Sequence, residues 1–372
     1  MAISLFGVVH NEAIERAAIE VLRSGMIASG PYVEKFRSAF SGLVGSPYVV
    51  PTNDMSNAMT IALRLAGVSP EHEIITTPFS CLSTNAPVGA SGATTVWADI
   101  DAATATLNPD SVRALLSPRT RAVVLYHIAG YPGPAREIAA ICKAAGVKLI
   151  EDCDNALGAE LDGAQVGSFG DYAIHSFYPN RQINGVDGGA LVCRTETDYA
   201  RAMRLRRYGI DSARFRDAQG EIDPDCDVAE LGYAATFNNL SSAIAYAQLG
   251  GLAERSARTL RNARWLTAAL GDLPGLQLVP PLAGAAPAYW SLLTLVDRRD
   301  AVLARLKHAG IAASRLHYRN DRYSGFRARS GRLDGTDRFM DHTLSLPCGW
   351  WLSEADLSLV AATVRDAVGA EN

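Results

Sequence analysis

The chain has 372 residues, 48% of them hydrophobic and 20% charged, which excludes a largely disordered chain and suits one large domain with a smaller one. The formal net charge is -4, from 35 basic and 39 acidic side chains, and this balance gives no electrostatic footprint for nucleic acid. Only four basic residues are lysine (Lys35, Lys143, Lys148, Lys307), and the rest are arginine.

The six cysteines (Cys81, Cys142, Cys153, Cys193, Cys226, Cys348) contain no CxxC pair, so neither a disulfide framework nor a structural zinc site is expected. They read as reduced thiols of a cytoplasmic protein. The N-terminal stretch lacks the basic and apolar regions of a signal peptide, and no uncharged apolar run reaches membrane-spanning length. The expectation is a soluble, intracellular protein without a membrane partner.

In chain order, residues 48–50 form a short apolar strand and 56–65 an Ala/Leu/Met-rich helix. Strands follow at 73–76, 94–98, 122–126 and 147–151, with a helix at 134–145 and strand-like 172–175. Apolar strands alternating with helices predict a parallel sheet covered on both faces. Residues 225–268 read as mainly helical, including one long stretch over 240–268. Beyond 275, strands at 276–279 and 290–296 and helices at 301–309 and 354–370 predict a smaller α+β unit. The boundaries expected are 1–240 for the large α/β domain and 241–372 for the linking helix and small C-terminal domain.

Ligands of open parallel sheets bind at the carboxyl ends of the strands, and three features fall there. Asp152 follows the strand Val147-Lys148-Leu149-Ile150-Glu151. A carboxylate at that depth is costly unless paired, and one use for it is to keep a pyridinium nitrogen protonated. The alternative is a helix cap or a structural salt bridge. Thr52-Asn53-Asp54-Met55-Ser56 precedes a helix whose amides could hold a phosphate, or it is a simple N-cap by Asp54 or Ser56. Ser176-Phe177-Tyr178-Pro179-Asn180-Arg181 leads to Asn184-Gly185-Val186-Asp187-Gly188-Gly189, a close-approach turn or a plain turn into a strand.

Together and in order, these pieces resemble the DegT/DnrJ/EryC1/StrS aminotransferases. The resemblance starts at Ser29-Gly30-Pro31-Tyr32-Val33-Glu34-Lys35-Phe36 and continues through Ile75-Thr76-Thr77-Pro78, Trp97-Ala98-Asp99-Ile100-Asp101 and His127-Ile128-Ala129-Gly130-Tyr131-Pro132. Glu151-Asp152-Cys153-Asp154-Asn155-Ala156, Val166-Gly167-Ser168-Phe169-Gly170-Asp171 and Ser176-Phe177-Tyr178-Pro179 follow, then Asp187-Gly188-Gly189-Ala190. His317-Tyr318-Arg319-Asn320-Asp321 and Leu346-Pro347-Cys348-Gly349-Trp350-Trp351-Leu352 are similar to a sugar-nucleotide branch.

The resemblance implies an α/β fold of fold-type I, with a large mostly parallel-sheet domain and a small C-terminal α+β domain. It further implies a pyridoxal phosphate or pyridoxamine phosphate (PLP or PMP) cofactor, a nucleotide-linked keto-sugar substrate, and a homodimer. By resemblance Asp152 meets the cofactor ring nitrogen and Asn155 its phenolic oxygen. Met55, Ser56 and Ser176 fall on the phosphate, and Cys81 on the ring face. The basic stripe Arg204-Leu205-Arg206-Arg207 lies either near the site entrance or on a solvated helix face.

Besides Met55-Ser56 in place of a Gly-Thr pair, two positions depart from the pattern. Arg181 stands where the family has its Schiff-base lysine, and a guanidinium that stays protonated cannot form that bond. Ala234 stands where many members have an asparagine that reaches the neighbouring subunit's phosphate. Three readings stay open. One is a lysine-free enzyme working with non-covalent PMP, as the family's sugar dehydratases do, with His317, His175 or a tyrosine as a base. The second is a divergent catalyst or non-catalytic sugar-binding subunit without cofactor, in which Arg181 grips an anion. The third is an introduced Lys→Arg change. His175 precedes Ser176 on a strand, so it should face the core. No metal site is expected.

Overall fold

A computed structural model describes residues 2–369. Its strands are β1 (Val49–Thr52), β2 (Glu73–Thr76), β3 (Thr94–Trp97), β4 (Thr120–Tyr126), β5 (Lys148–Asp152), β6 (Glu160–Leu161) and β7 (Ala164–Gln165). There follow β8 (Tyr172–Ser176), β9 (Gly189–Cys193), β10 (Leu276–Leu278), β11 (Ala285–Ala286), β12 (Leu292–Val296), β13 (Ala328–Ser330) and β14 (Thr343–Leu346).

Eight of these form one sheet in the order β1-β9-β8-β5-β4-β2-β3-β13. All neighbours from β8 to β13 pair in parallel, whereas β9 runs antiparallel to both β1 and β8. The mostly parallel sheet expected from the sequence is therefore present. Its strands are buried on both faces, which is why they read as continuous apolar runs. One face packs on the helix Met55–Leu65, through Ala58, Met59 and Ile61 against Val124, Ile150, Ile174 and Leu191. The other packs on Pro31–Val44 through Phe36 and Phe40, and on Ala135–Ala145 through Ile138.

A second sheet, β10-β12-β14, is antiparallel. It shares a core with the helices Leu252–Leu270, Arg299–His308 and Glu354–Gly369. The last residue of the expected helix 354–370 lies outside the described residues.

The region 225–268 differs from expectation. Its first part is irregular, and the 240–268 stretch divides into Asn239–Tyr246, a 3-10 turn Leu249–Gly251 and Leu252–Leu270. The break sits at Gly250-Gly251, where two consecutive residues without Cβ weaken a helix. Among the described residues, no helix is long and apolar enough to cross a membrane.

Candidate active site

The strand ends assemble the site. Asp152 closes β5 and is fully buried. Its Oδ2 accepts a hydrogen bond from Thr84 Oγ1 at 2.7 Å, and its Oδ1 accepts from the Asp154 amide at 3.0 Å. Thr84 is delivered by the helix Leu82–Ala90, whose N-cap is Cys81. Burial, and then the charge of Asp154, push the Asp152 carboxyl well above the usual carboxylate range, while Thr84 and the amide pull it back.

Arg181 is only 7% exposed. One terminal nitrogen donates to Asp154 Oδ2 at 2.8 Å, and the other donates to Asn180 Oδ1. The guanidinium carbon sits 4.9 Å from the Trp290 ring centroid. Trp290 is fixed by its own Nε1–H, which donates to the Asn180 carbonyl at 2.8 Å, and by Phe6, stacked at 3.8 Å. Arg181 is thus a built-in member of the interior. Burial raises the Asp154 carboxyl, and Arg181 lowers it. Three buried polar atoms in this cluster have no partner among the described residues: Arg181 Nε, Asp154 Oδ1 and Asn155 Oδ1.

Asn155 donates from Nδ2 to the Tyr126 hydroxyl at 2.5 Å, and that hydroxyl lies 3.1 Å from His317 Nε2. Tyr126 accepts from Asn155 and has its own proton to offer His317 Nε2, the direction of that bond being set by the histidine tautomer. Burial, and then the nearby Arg181 charge, push His317 down to about 3. Burial also raises the Tyr126 hydroxyl far above its ordinary value.

Met55 and Ser56 open the helix Met55–Leu65, N-capped by Asp54, whose Oδ1 accepts from the Asn57 amide at 2.9 Å. Gly189 lies against this turn: a Cβ there would fall 2.7 Å from Met55 backbone atoms. Gly189 also pairs across the sheet with Ser176, so Ser176 and the helix start are neighbours. Cys81 is half-buried, and its Sγ accepts from Ser83 Oγ at 3.0 Å.

Asp152, Asn155, Arg181 and His317 therefore form one linked cluster, with Met55, Ser56 and Ser176 grouped at the adjoining strand ends. His175 faces the other way, buried edge-on to Phe40 at 5.3 Å, and burial lowers it to about 4. In the basic stripe, Arg206 is partly buried and donates to the Pro51 carbonyl at 3.0 Å. Trp350 and Trp351 pack against each other at 5.0 Å, and Trp351 donates to the Ser4 carbonyl. His127, Glu151 and Cys153 cluster nearby, all buried. The Glu151 carboxylate is already engaged by His127 and by the amides of Gly167, Phe169 and Gly170.

Thr84, Tyr126, Asp154 and Trp290 were not anticipated as site residues. Thr84 lies in a helix containing Pro87, and Trp290 in a strand-like run remote in sequence. Asp154 carried a readable signal: a second acid two positions after Asp152 calls for a cation, and Arg181 is that cation.

A mostly parallel eight-stranded sheet, a small antiparallel C-terminal sheet and a buried acid at a strand end define a fold-type I aminotransferase architecture. The model of the DegT/DnrJ/EryC1/StrS aminotransferase family matches residues 9–365, and the chain belongs to that family. Among solved structures, it is similar to the sugar aminotransferase CalS13 from Micromonospora echinospora, at 32% identity and TM-score 0.92 over 98% of this chain and 99% of that one. AtS13 from Actinomadura melliaura is similar at 33% identity and TM-score 0.92 over 98% of each chain. DesI, solved in the presence of its TDP-sugar product, matches at 25% identity and TM-score 0.88 over 99% of this chain and 93% of that one.

Proposed function

We propose that the chain is an enzyme that holds PMP or PLP without a covalent bond and acts on a nucleotide-linked keto-sugar in bacterial glycan or secondary-metabolite biosynthesis, as a cytoplasmic homodimer. Family membership and a neighbour solved in the presence of its TDP-sugar product support the substrate class. The observation that carries the reading is the retention of Asp152, buried and oriented by Thr84, beside an Arg181 whose guanidinium is tied to Asp154.

The residues present fit the ring end of such a cofactor. A protonated ring nitrogen is the cation that buried Asp152 lacks. The unpartnered Asn155 Oδ1 can accept from a phenolic hydroxyl. The Ser176 hydroxyl and the first amides of the helix Met55–Leu65 suit a phosphate. Asp54, capping that same helix, opposes an anion there and weakens the hold.

When bound, the cofactor would supply an exchangeable amino or carbonyl group and a conjugated ring that accepts electron density. Asp152 would keep a proton at the ring nitrogen. Arg181 stays protonated and so cannot remove a proton from substrate. The Tyr126–His317 pair is the remaining acid–base group of the cluster. His317, neutral with its conjugate acid near 3, is a weak base, which predicts slow proton abstraction.

A second reading, a cofactor-free sugar-binding subunit, is favoured by Asp54 at the helix start and by the loss of a lysine. Calorimetric titration separates the two. Saturable PMP binding that weakens about tenfold in Asp152→Asn supports the enzyme reading. Binding of a nucleoside-diphosphate sugar, with no binding of either cofactor, supports the second.

A further inference from the structure

We infer that Asp154 holds any base at position 181 in its charged form, so that even a lysine there would not readily capture carbonyl compounds covalently. The inference rests on the cofactor reading above only for the identity of the carbonyl compound. The contact itself is a property of this chain.

The geometry supports it from several sides. Asp154 is 2% exposed, and its Oδ2 takes a hydrogen bond from Arg181 at 2.8 Å. Among the described residues nothing else donates to that carboxylate, and its Oδ1 is buried without a partner. A buried carboxylate left with no cation is strongly disfavoured, so the Asp154 carboxylate favours the charged form of a base at 181. The groups facing the guanidinium are few. Asp154 and Asn180 accept its protons, Trp290 lies under its plane, and Asp152, Tyr126 and His317 feel its charge. Asp154 is the acid in direct contact, and the histidine and tyrosine are neutral, so the surroundings favour a cation at 181.

A lysine amine attacks a carbonyl only as the neutral base. Its nitrogen bonds to the carbonyl carbon, water leaves, and a carbon–nitrogen double bond remains. An amine at position 181 facing Asp154 would stay an ammonium and would be poorly reactive. Arg181 by itself excludes that bond, and Asp154 would keep it suppressed with a lysine in its place: restoring the lysine alone does not restore it, and removing the acid as well does.

The test compares Arg181→Lys with the double variant Arg181→Lys/Asp154→Asn, both checked for folding by thermal unfolding, with Asp154→Ala as a substitute second change. The first readout needs no cofactor. Formaldehyde with cyanoborohydride methylates neutral amines, the cyanoborohydride delivering hydride to the carbon–nitrogen double bond. Peptide mass mapping then follows the amine at 181, with Lys35, Lys143, Lys148 and Lys307 as internal standards. The second readout is incorporation of PLP after borohydride reduction, measured by intact mass at neutral pH.

The expected result is that the pH midpoint for methylation at 181 falls by about one unit or more on adding Asp154→Asn, and that PLP labelling rises about tenfold. Equal midpoints in the single and double variants overturn the inference. If the midpoints differ but no PLP is bound by either variant, Asp154 acts as stated and the cofactor reading fails.

Discussion

Thr84 Oγ1 donates to Asp152 Oδ2 at 2.7 Å, joining two residues 68 positions apart at the floor of the site. This bond stabilises the charged form of an acid that burial drives toward neutrality. Thr84→Val keeps the shape and removes the donor. It should raise the Asp152 carboxyl further and weaken PMP binding by about three- to tenfold, at a stability cost of about 1–2 kcal/mol. Binding titrations as a function of pH check this. Wild-type affinity at every pH would show that the bond does not matter.

Asp54 caps the helix Met55–Leu65 and sets a carboxylate at the same helix start as the proposed phosphate. Asparagine caps a helix as well as aspartate does. Asp54→Asn should therefore leave the melting temperature nearly unchanged and strengthen PMP binding several-fold. A gain that vanishes for pyridoxamine without its phosphate would place the effect at the phosphate.

Trp290 lies under Arg181, stacks on Phe6 and donates to the Asn180 carbonyl. Trp290→Phe keeps the ring face and loses the donor, with an expected cost of about 1 kcal/mol. Trp290→Ala also removes the stacked ring, and should cost about 3 kcal/mol. Denaturant unfolding measures both, and equal losses would contradict the stacking role.

Glu73, at the start of β2, is enclosed by Arg329, Arg119 and Ser117. Their hydrogen bonds, Arg329 first, hold its carboxyl down at about 2 against burial. Its stabilising contribution is thus complete above the ordinary carboxyl value and is lost as pH falls toward 2. Glu73→Gln should lower stability by about 2 kcal/mol at neutral pH and flatten the decline between about pH 4 and 2. Unfolding curves across that range decide the matter.

The strands were legible because each is apolar along its length: 73–76 coincides with β2, and 122–126 lies within β4. The ordered motifs located Asp152 and Ser176 at strand ends for the same reason. What the sequence hid were contacts made by folding. Thr84 reaches Asp152 from a helix that a proline obscures, and Trp290 arrives under Arg181 from 109 positions away. β13 is three residues long and adds to the sheet edge by pairing with β3, a long-range register that local pattern does not encode. The broken helix at Gly250-Gly251 shows helical composition overridden by backbone freedom.

The proposed pocket takes PLP or PMP without a covalent bond, because position 181 is an arginine paired with Asp154. The most direct test is to add PLP to the wild-type protein, follow absorbance, reduce with borohydride and measure the intact mass. The expected result is a saturable spectral change with no mass gain at the site after reduction. Attachment of PLP to the wild-type chain, or no binding of PLP or PMP at all, would contradict it.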